Sequence, residues 1–369
     1  MRPPPHFTRR AFAQAAAAVL PAFAWPAVQG QSEAQVPQLG PLEKDRLTLA
    51  VGGKSAFYYL PLTIAEQLGY FRAQGLTLEI ADYADAELAQ QAALLGQADV
   101  VCGEFEQTLH LQTKKQYYQA FVQLARTPQL VLGMSTRSSS GLRSAADLRG
   151  KTIGIPASGS SPSGLASVLS QRVLARAGLT PGDVSFAALE STPAALQALR
   201  GGQIDALCHT DPVMTLLEIK GDIRVLCDTR TLKDTLDMFG GLMPFACLYA
   251  RVGFVQNLPR TCQALTNSVV RALKWLQTAG PTDLMKVVPE PYWQGDRAAY
   301  LAAFSKLRES TSLDGVLPSD AALTAWRVFA AETAPAIRLP TTVVPADRIV
   351  LARTFTNVYA QRAKTAFKL

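Results

Sequence analysis

Two stretches of this chain decide how it folds: Ala86-Glu87-Leu88-Ala89-Gln90-Gln91-Ala92-Ala93-Leu94-Leu95-Gly96-Gln97-Ala98-Asp99-Val100 and Thr192-Pro193-Ala194-Ala195-Leu196-Gln197-Ala198-Leu199-Arg200-Gly201-Gly202-Gln203-Ile204-Asp205-Ala206. Each reads as a helix, a glycine turn, a polar residue, and an aspartate that opens a strand. One supersecondary unit stated twice predicts two similar lobes.

Outward from the first copy, strands are predicted at 46–51, 76–80, 98–102 and 129–134, with helices at 61–67, 86–95 and 107–113. The same grammar restarts around the second copy. Strands fall at 152–155, 184–187, 204–208 and 223–226, and helices at 163–177, 193–200 and 212–219. Beyond 245–249 the chain reads as helical at 258–278, 296–309 and 321–331. Alternating strands and helices predict an α/β fold whose lobes each hold a mostly parallel sheet flanked by helices. Ligands of such folds sit beyond the carboxyl ends of the strands.

The N-terminus has the grammar of an export signal. Thr8-Arg9-Arg10-Ala11-Phe12 leads into an alanine-rich apolar run that ends in Ala22-Phe23-Ala24. A basic start, a short apolar stretch and a small-residue exit predict a signal peptide over 1–24. The paired arginines followed by Phe12 suit the twin-arginine route, and a general secretory signal with two arginines is the alternative. No cysteine lies near that exit, so a lipid anchor there is not expected. Residues 25–45 are rich in Gln and Pro without periodicity and read as a flexible leader. No later stretch approaches the ~20 apolar residues of a membrane helix, so no stable membrane insertion is expected.

Of the formal charge of +7, Arg2, Arg9 and Arg10 carry three, leaving +4 after signal removal. The remaining basic residues are scattered, which argues against nucleic-acid binding. The five cysteines, Cys102, Cys208, Cys227, Cys247 and Cys262, lack CxxC spacing. They imply neither a disulfide framework nor a zinc site and read as small buried hydrophobes.

Four motifs carry a family resemblance. They are 60–71 (Leu-Pro-Leu-Thr-Ile-Ala-Glu-Gln-Leu-Gly-Tyr-Phe), Asp147-Leu148-Arg149-Gly150-Lys151-Thr152-Ile153-Gly154, Gly202-Gln203-Ile204-Asp205-Ala206, and Asp211-Pro212. In order and spacing they resemble the nitrate, sulfonate, taurine and thiamine-pyrimidine binding family of type II periplasmic binding proteins. The resemblance spans about 50–250. It implies a two-lobed fold with C-terminal helices: lobe one is 46–136 plus 246–369, and lobe two is 137–245. Crossing strands near 132–136 and 244–248 would form the hinge. It also implies a periplasmic monomer that delivers a small molecule to an ABC permease and ATPase, without a cofactor.

Candidate ligand groups sit in the loops after strands. Gly53-Lys54-Ser55 is not a phosphate loop, because Thr48 stands where that motif needs a glycine. Lys54 and Ser55 instead suit an anionic or acceptor group, and Tyr58 or Tyr59 a stacking face; packing against the following helix is the alternative for each tyrosine. Glu104 suits ligand amines, and Glu106 the cap of the next helix. Ser158, Gly159, Ser160 and Ser161 precede a long helix, whose free N–H groups suit an anion. Thr210 and Asp211 face the cleft mouth. Many family members carry an aromatic residue where Thr210 stands, so a flat-ring sandwich is not indicated there. His209 is either a ligand group or a structural histidine.

No G-x-S-x-G elbow and no serine with an evident histidine partner occurs, which removes the sequence case for a hydrolase. The wider family's thiamine-pyrimidine synthases rely on a cysteine-rich iron-binding stretch that this chain lacks. The expectation is a binding protein for a small organic anion or zwitterion, sulfonate-, nitrate- or taurine-like, or an amino-heterocycle. An exported enzyme on the same fold and a soluble sensor for a membrane receptor are the alternatives.

Overall fold

In the computed structural model, which describes residues 39–137, 143–157, 164–333 and 348–369, ten strands follow one another along the chain. They are β1 (Arg46–Gly52), β2 (Thr77–Tyr83), β3 (Val100–Glu104), β4 (Tyr118–Gln123), β5 (Val131–Ser135), β6 (Thr152–Pro156), β7 (Ser185–Leu189), β8 (Ala206–His209), β9 (Ile223–Asp228) and β10 (Ala246–Arg251). They form two five-stranded sheets, ordered β2-β1-β3-β10-β4 and β7-β6-β8-β5-β9. Each sheet is parallel except for one strand. β10 runs antiparallel between β3 and β4, and β5 runs antiparallel between β8 and β9. The two sheets therefore share one topology.

The repeated aspartate explains why the doubled motif builds the same structure twice. Asp99 Oδ2 accepts the Thr48 N–H at 3.1 Å, and the Asp99 N–H donates to Thr48 O at 2.8 Å. In the second lobe Asp205 Oδ2 accepts the Thr152 N–H at 3.1 Å, and the Asp205 N–H donates to Thr152 O at 2.8 Å. In both lobes an aspartate thus pins the start of the third strand to the start of the first. A cation backs each one: Lys44 lies 2.6 Å from Asp99, and Lys151 lies 3.8 Å from Asp205.

The helices of the motif are capped and small-faced. Asp85 accepts from Leu88 N at 2.8 Å to start the helix Ala86–Leu94, and Ser191 accepts from Ala194 N at 3.3 Å to start Thr192–Arg200. Such caps are worth about 1 kcal/mol each. The first helix buries Ala89, Ala92 and Ala93, and the second buries Ala195, Ala198 and Leu199. The C-terminal region is helical. Its 20-residue helix Pro259–Thr278 buries Leu265, Val269, Val270 and Leu273 against the helices Leu60–Gln67 and Val358–Phe367.

The structure moves one sequence boundary. The strand at 131–135, assigned by sequence to lobe one and to the hinge, belongs to the second sheet. Val131, Leu132 and Met134 are fully buried there, because the strand is flanked on both sides by β8 and β9. The chain passes between sheets at 124–130, and returns over 229–245. β4, absent from the sequence reading, fills the edge beside β10. Residues 39–45 of the expected leader are tied down, with Glu43 accepting the N–H groups of Arg260 at 3.2 Å and Thr261 at 2.9 Å. The expected signal peptide and residues 25–38 lie outside the described residues. No described helix is long and apolar enough to cross a membrane.

Removing either locking aspartate orphans a strand N–H. Asp99→Ala and Asp205→Ala should each lower stability by about 1–2 kcal/mol. Because they act in separate lobes, the double variant should lose the sum. Urea denaturation of the three variants checks both statements.

Candidate ligand-binding site

A cavity of about 250 Å³ opens between the two sheets, at the carboxyl ends of their strands. The two lobes line it in corresponding ways. After the first strand of each come Gly52, Gly53 and Ser55 in lobe one, and Pro156 and Ala157 in lobe two. After the second come Asp85 and Thr192, at the starts of the two alanine-faced helices. After the third come Glu104 on one side and His209, Thr210 and Asp211 on the other. Leu130 and Phe245, at the ends of the two crossings, complete the wall, with Gln294 from the C-terminal region.

Gly52 is a close-approach position. A Cβ there would stand 2.1 Å from the Asp85 carbonyl carbon and 2.3 Å from Ala86 N. Only glycine lets the β2-to-helix turn lie over the end of β1 and bring Asp85 to the cavity.

The sequence pointed to both tyrosines after β1, and the structure separates them. Tyr59 is fully buried in the core, whereas Tyr58 lines the cavity. The Tyr58 ring meets Phe245 edge-on at 4.9 Å and Tyr59 at 4.5 Å. Burial, then the charge of Glu104, holds the Tyr58 hydroxyl protonated far above the ordinary tyrosine range.

Glu104 ends β3 opposite Ala246, the first residue of β10. Its N–H donates to Gln107 Oε1 at 3.1 Å, and Gln107 in turn holds Ala86 O at 2.9 Å and accepts from Tyr249 Oη at 2.9 Å. Glu104 thus occupies the cap position of the helix Phe105–Thr113 while facing the cavity. Glu106, the residue expected to cap, lies in the first turn and pairs with His110 at 3.3 Å. Burial, then repulsion from Glu106, pushes the Glu104 carboxyl up to about 8.

Two residues proposed from sequence have other partners. Lys54 is absent from the cavity wall; its ammonium pairs with Glu66 on the helix Leu60–Gln67, and its N–H donates to Asp82 at 2.9 Å. It points away because Glu66 offers a half-buried counter-charge on the adjacent helix. Asp211 borders the cavity, but its carboxylate is committed elsewhere. Oδ1 accepts Thr215 N at 2.7 Å, and Oδ2 pairs with Arg230 at 3.0 Å.

Arg230 is 1 % exposed and is met by three carboxylates: Asp211, Asp228 at 2.5 Å and Glu218 at 3.0 Å. Glu218 also reaches Lys306 at 2.6 Å, on the helix Arg297–Leu307 whose Tyr300 stacks on Phe57 of lobe one at 4.4 Å. Arg230 carried no local sequence signal; only the fold brings it under Asp211.

His209 lines the cavity beside Thr210. Its Nδ1 lies 2.9 Å from Thr210 N and 3.2 Å from Thr210 O, so the backbone of Thr210 engages that side of the ring in either tautomer. Burial keeps the ring below the ordinary histidine value, and therefore neutral. Neither His209 Nε2 nor Tyr58 Oη has a hydrogen-bond partner among the described residues. Ser55 and Thr210 lie on the cavity wall. Ser158, Gly159, Ser160 and Ser161 lie outside the described residues. All five cysteines are buried free thiols, and burial raises Cys208, Cys227 and Cys262 to about 12. No group of three or more His, Cys, Asp or Glu among the described residues could hold a metal.

A family model described as NMT1/THI5 like matches residues 56–276. A solved structure of a Bordetella bronchiseptica RB50 protein is similar at 45 % identity, with TM-score 0.79, covering 89 % of this chain and 100 % of that one. The alkanesulfonate-binding protein SsuA from Xanthomonas axonopodis pv. citri, bound to MOPS, is similar at 19 % identity and TM-score 0.64, covering 83 % of this chain and 98 % of that one. The periplasmic nitrate-binding protein NrtA from Synechocystis PCC 6803 is similar at 12 % identity and TM-score 0.69, covering 89 % and 90 %. The last two likenesses are of fold. No curated protein matches the sequence significantly.

Two variants test the energetics of the wall. Arg230→Met strands buried carboxylates and should cost about 3–5 kcal/mol in denaturant unfolding. Glu104 holds its proton more tightly folded than unfolded, so the folded protein should lose stability as pH rises from about 4.5 to about 8. Glu104→Gln should remove that loss, matching the parent near pH 4 and exceeding it near pH 9, as read from melting temperatures across pH.

Proposed function

Because the chain belongs to the NMT1/THI5-like family, we propose that it is the exported, periplasmic solute-binding component of an ABC importer. It closes two lobes around one small molecule and presents the closed form to a permease and its ATPase. The cavity carries this reading. Its wall is drawn from the strand ends of both sheets and from both chain crossings, so a ligand there touches every part that must move for the lobes to close. Its volume, about 250 Å³, lies at the small end of ligand sites and suits a metabolite rather than a polymer.

The same geometry favours binding over turnover. The buried thiols are held protonated, which removes a cysteine nucleophile. His209 Nδ1 is engaged by the Thr210 backbone, and no described hydroxyl donates to either ring nitrogen. The general-base pairing that activates serine or threonine is therefore missing among the described residues.

Purified protein should show one saturable site. At a ligand concentration 100 times Kd, binding adds about 2.7 kcal/mol of stability, which raises the melting temperature by several degrees. Small-angle scattering should record a smaller radius of gyration with ligand than without. A compound that is chemically converted, or a saturating ligand that leaves the radius unchanged, would overturn the reading.

A further inference from the structure

Resting on that solute-binding reading, we propose that the cavity selects a small organic cation, an amine or amidine on an apolar or aromatic body, and rejects anions.

The argument starts from the charges of the wall. Among the described residues that line it there is no lysine or arginine. Lys54 is paired with Glu66 off the wall, and Arg230 is enclosed by Asp211, Asp228 and Glu218 beneath it. The ionisable groups that do line the cavity are Asp85, Glu104, Asp211, Tyr58 and a neutral His209. A bound sulfonate or carboxylate would find no side-chain counter-charge among the described wall residues, an arrangement that low-dielectric surroundings make costly.

A cation meets the opposite. Glu104 offers a carboxylate in a poorly solvated place, where an ion pair with hydrogen bonds is strongest. Tyr58 and Phe245 present aromatic surface beside it, which attracts the same charge sign. Tyr58 Oη, without a partner among the described residues, can accept a ligand N–H.

The proposal has a proton signature. Around Glu104 stand Tyr58 and Tyr59 from the segment after β1, Cys102 and Glu106 from its own segment, and Cys247 and Tyr249 from β10, while Asp85, His209 and Asp211 share the cavity wall with it. Of these, Glu104 titrates at about 8, so the empty site holds its proton at neutral pH. A cation must displace that proton. Affinity should then rise with pH, up to tenfold per unit below about 8, and level off above.

The test is a thermal-shift screen of the full-length purified protein against matched cationic, neutral and anionic compounds, including benzylamine, benzyl alcohol and benzenesulfonate, at pH 6.5 and 8.5. Calorimetry of the hits in buffers of different ionisation enthalpy then counts the protons. The expected result is amine or amidine hits, tighter at pH 8.5 by at least tenfold, with close to one proton released at pH 6.5. Glu104→Gln should weaken them tenfold or more and abolish the pH dependence, while its melting curve shows that it folds. Hits confined to sulfonates, carboxylates or neutral compounds, or amine binding that Glu104→Gln leaves unchanged, would overturn the proposal and leave the solute-binding reading standing. A screen with no hit in any class would overturn that reading and the proposal with it.

Discussion

Both lobes depend on a single constraint, that the chain passes between the sheets twice and each passage ends in the antiparallel strand that completes a sheet. β5 follows the first crossing and is held between β8 and β9; β10 follows the second and is held between β3 and β4. Without these strands β4 and β9 would have no neighbour, and each sheet would be a three-stranded parallel fragment. The crossings are tied to each other and to their lobes by backbone bonds. Phe245 N–H donates to Ala125 O at 3.0 Å, Phe105 N–H to Phe245 O at 2.8 Å, and Thr229 N–H to Leu130 O at 2.8 Å. Leu130 and Phe245 are therefore fixed to the frame and also line the cavity. The cavity is where it is because two parallel sheets turn the carboxyl ends of their strands toward one pair of crossings.

That constraint explains what was readable in advance. The doubled helix–glycine–aspartate motif is local and could be read directly, although the bond each aspartate makes, Asp99 to Thr48 and Asp205 to Thr152, reaches back some fifty residues and was not. Strand alternation, caps and glycine turns are also short-range, so the α/β class and the two lobes followed from them. What failed was long-range. The strand at 131–135 looks locally like any apolar strand, and nothing within it says which sheet it will complete. β4 escaped notice for the same reason, since its place depends on β10, more than a hundred residues further on.

At the site the division falls along the same line. Ser55, Tyr58, Glu104 and Thr210 were visible as loop residues after strands and do border the cavity. Lys54 has the same local credentials, but Glu66, twelve residues on, takes its charge. Asp211 was credited with a ligand role because no sequence signal announces Arg230, nineteen residues later, as its partner. His209 could be read either way; it lines the cavity while the backbone of Thr210 engages its Nδ1.

These pairings also shape the chemistry left over. A buried guanidinium that meets Asp211, Asp228 and Glu218 has no free donor to offer a ligand, and it holds the Asp211 lip rigid through Thr215 and the helix behind it. Glu218 carries the chain of contacts on to Lys306, so the lobe-two wall is braced against a helix that also packs on lobe one. Asp85 caps a helix and Asp211 is held by Arg230, which leaves Glu104 as the carboxyl of the described wall that burial and Glu106 push up to about 8. It sits next to a crossing, at the end of the strand paired with β10. The fold thus places this carboxyl at the point where both lobes and the ligand meet, so the protonation state of that group and the occupancy of the cavity must be coupled.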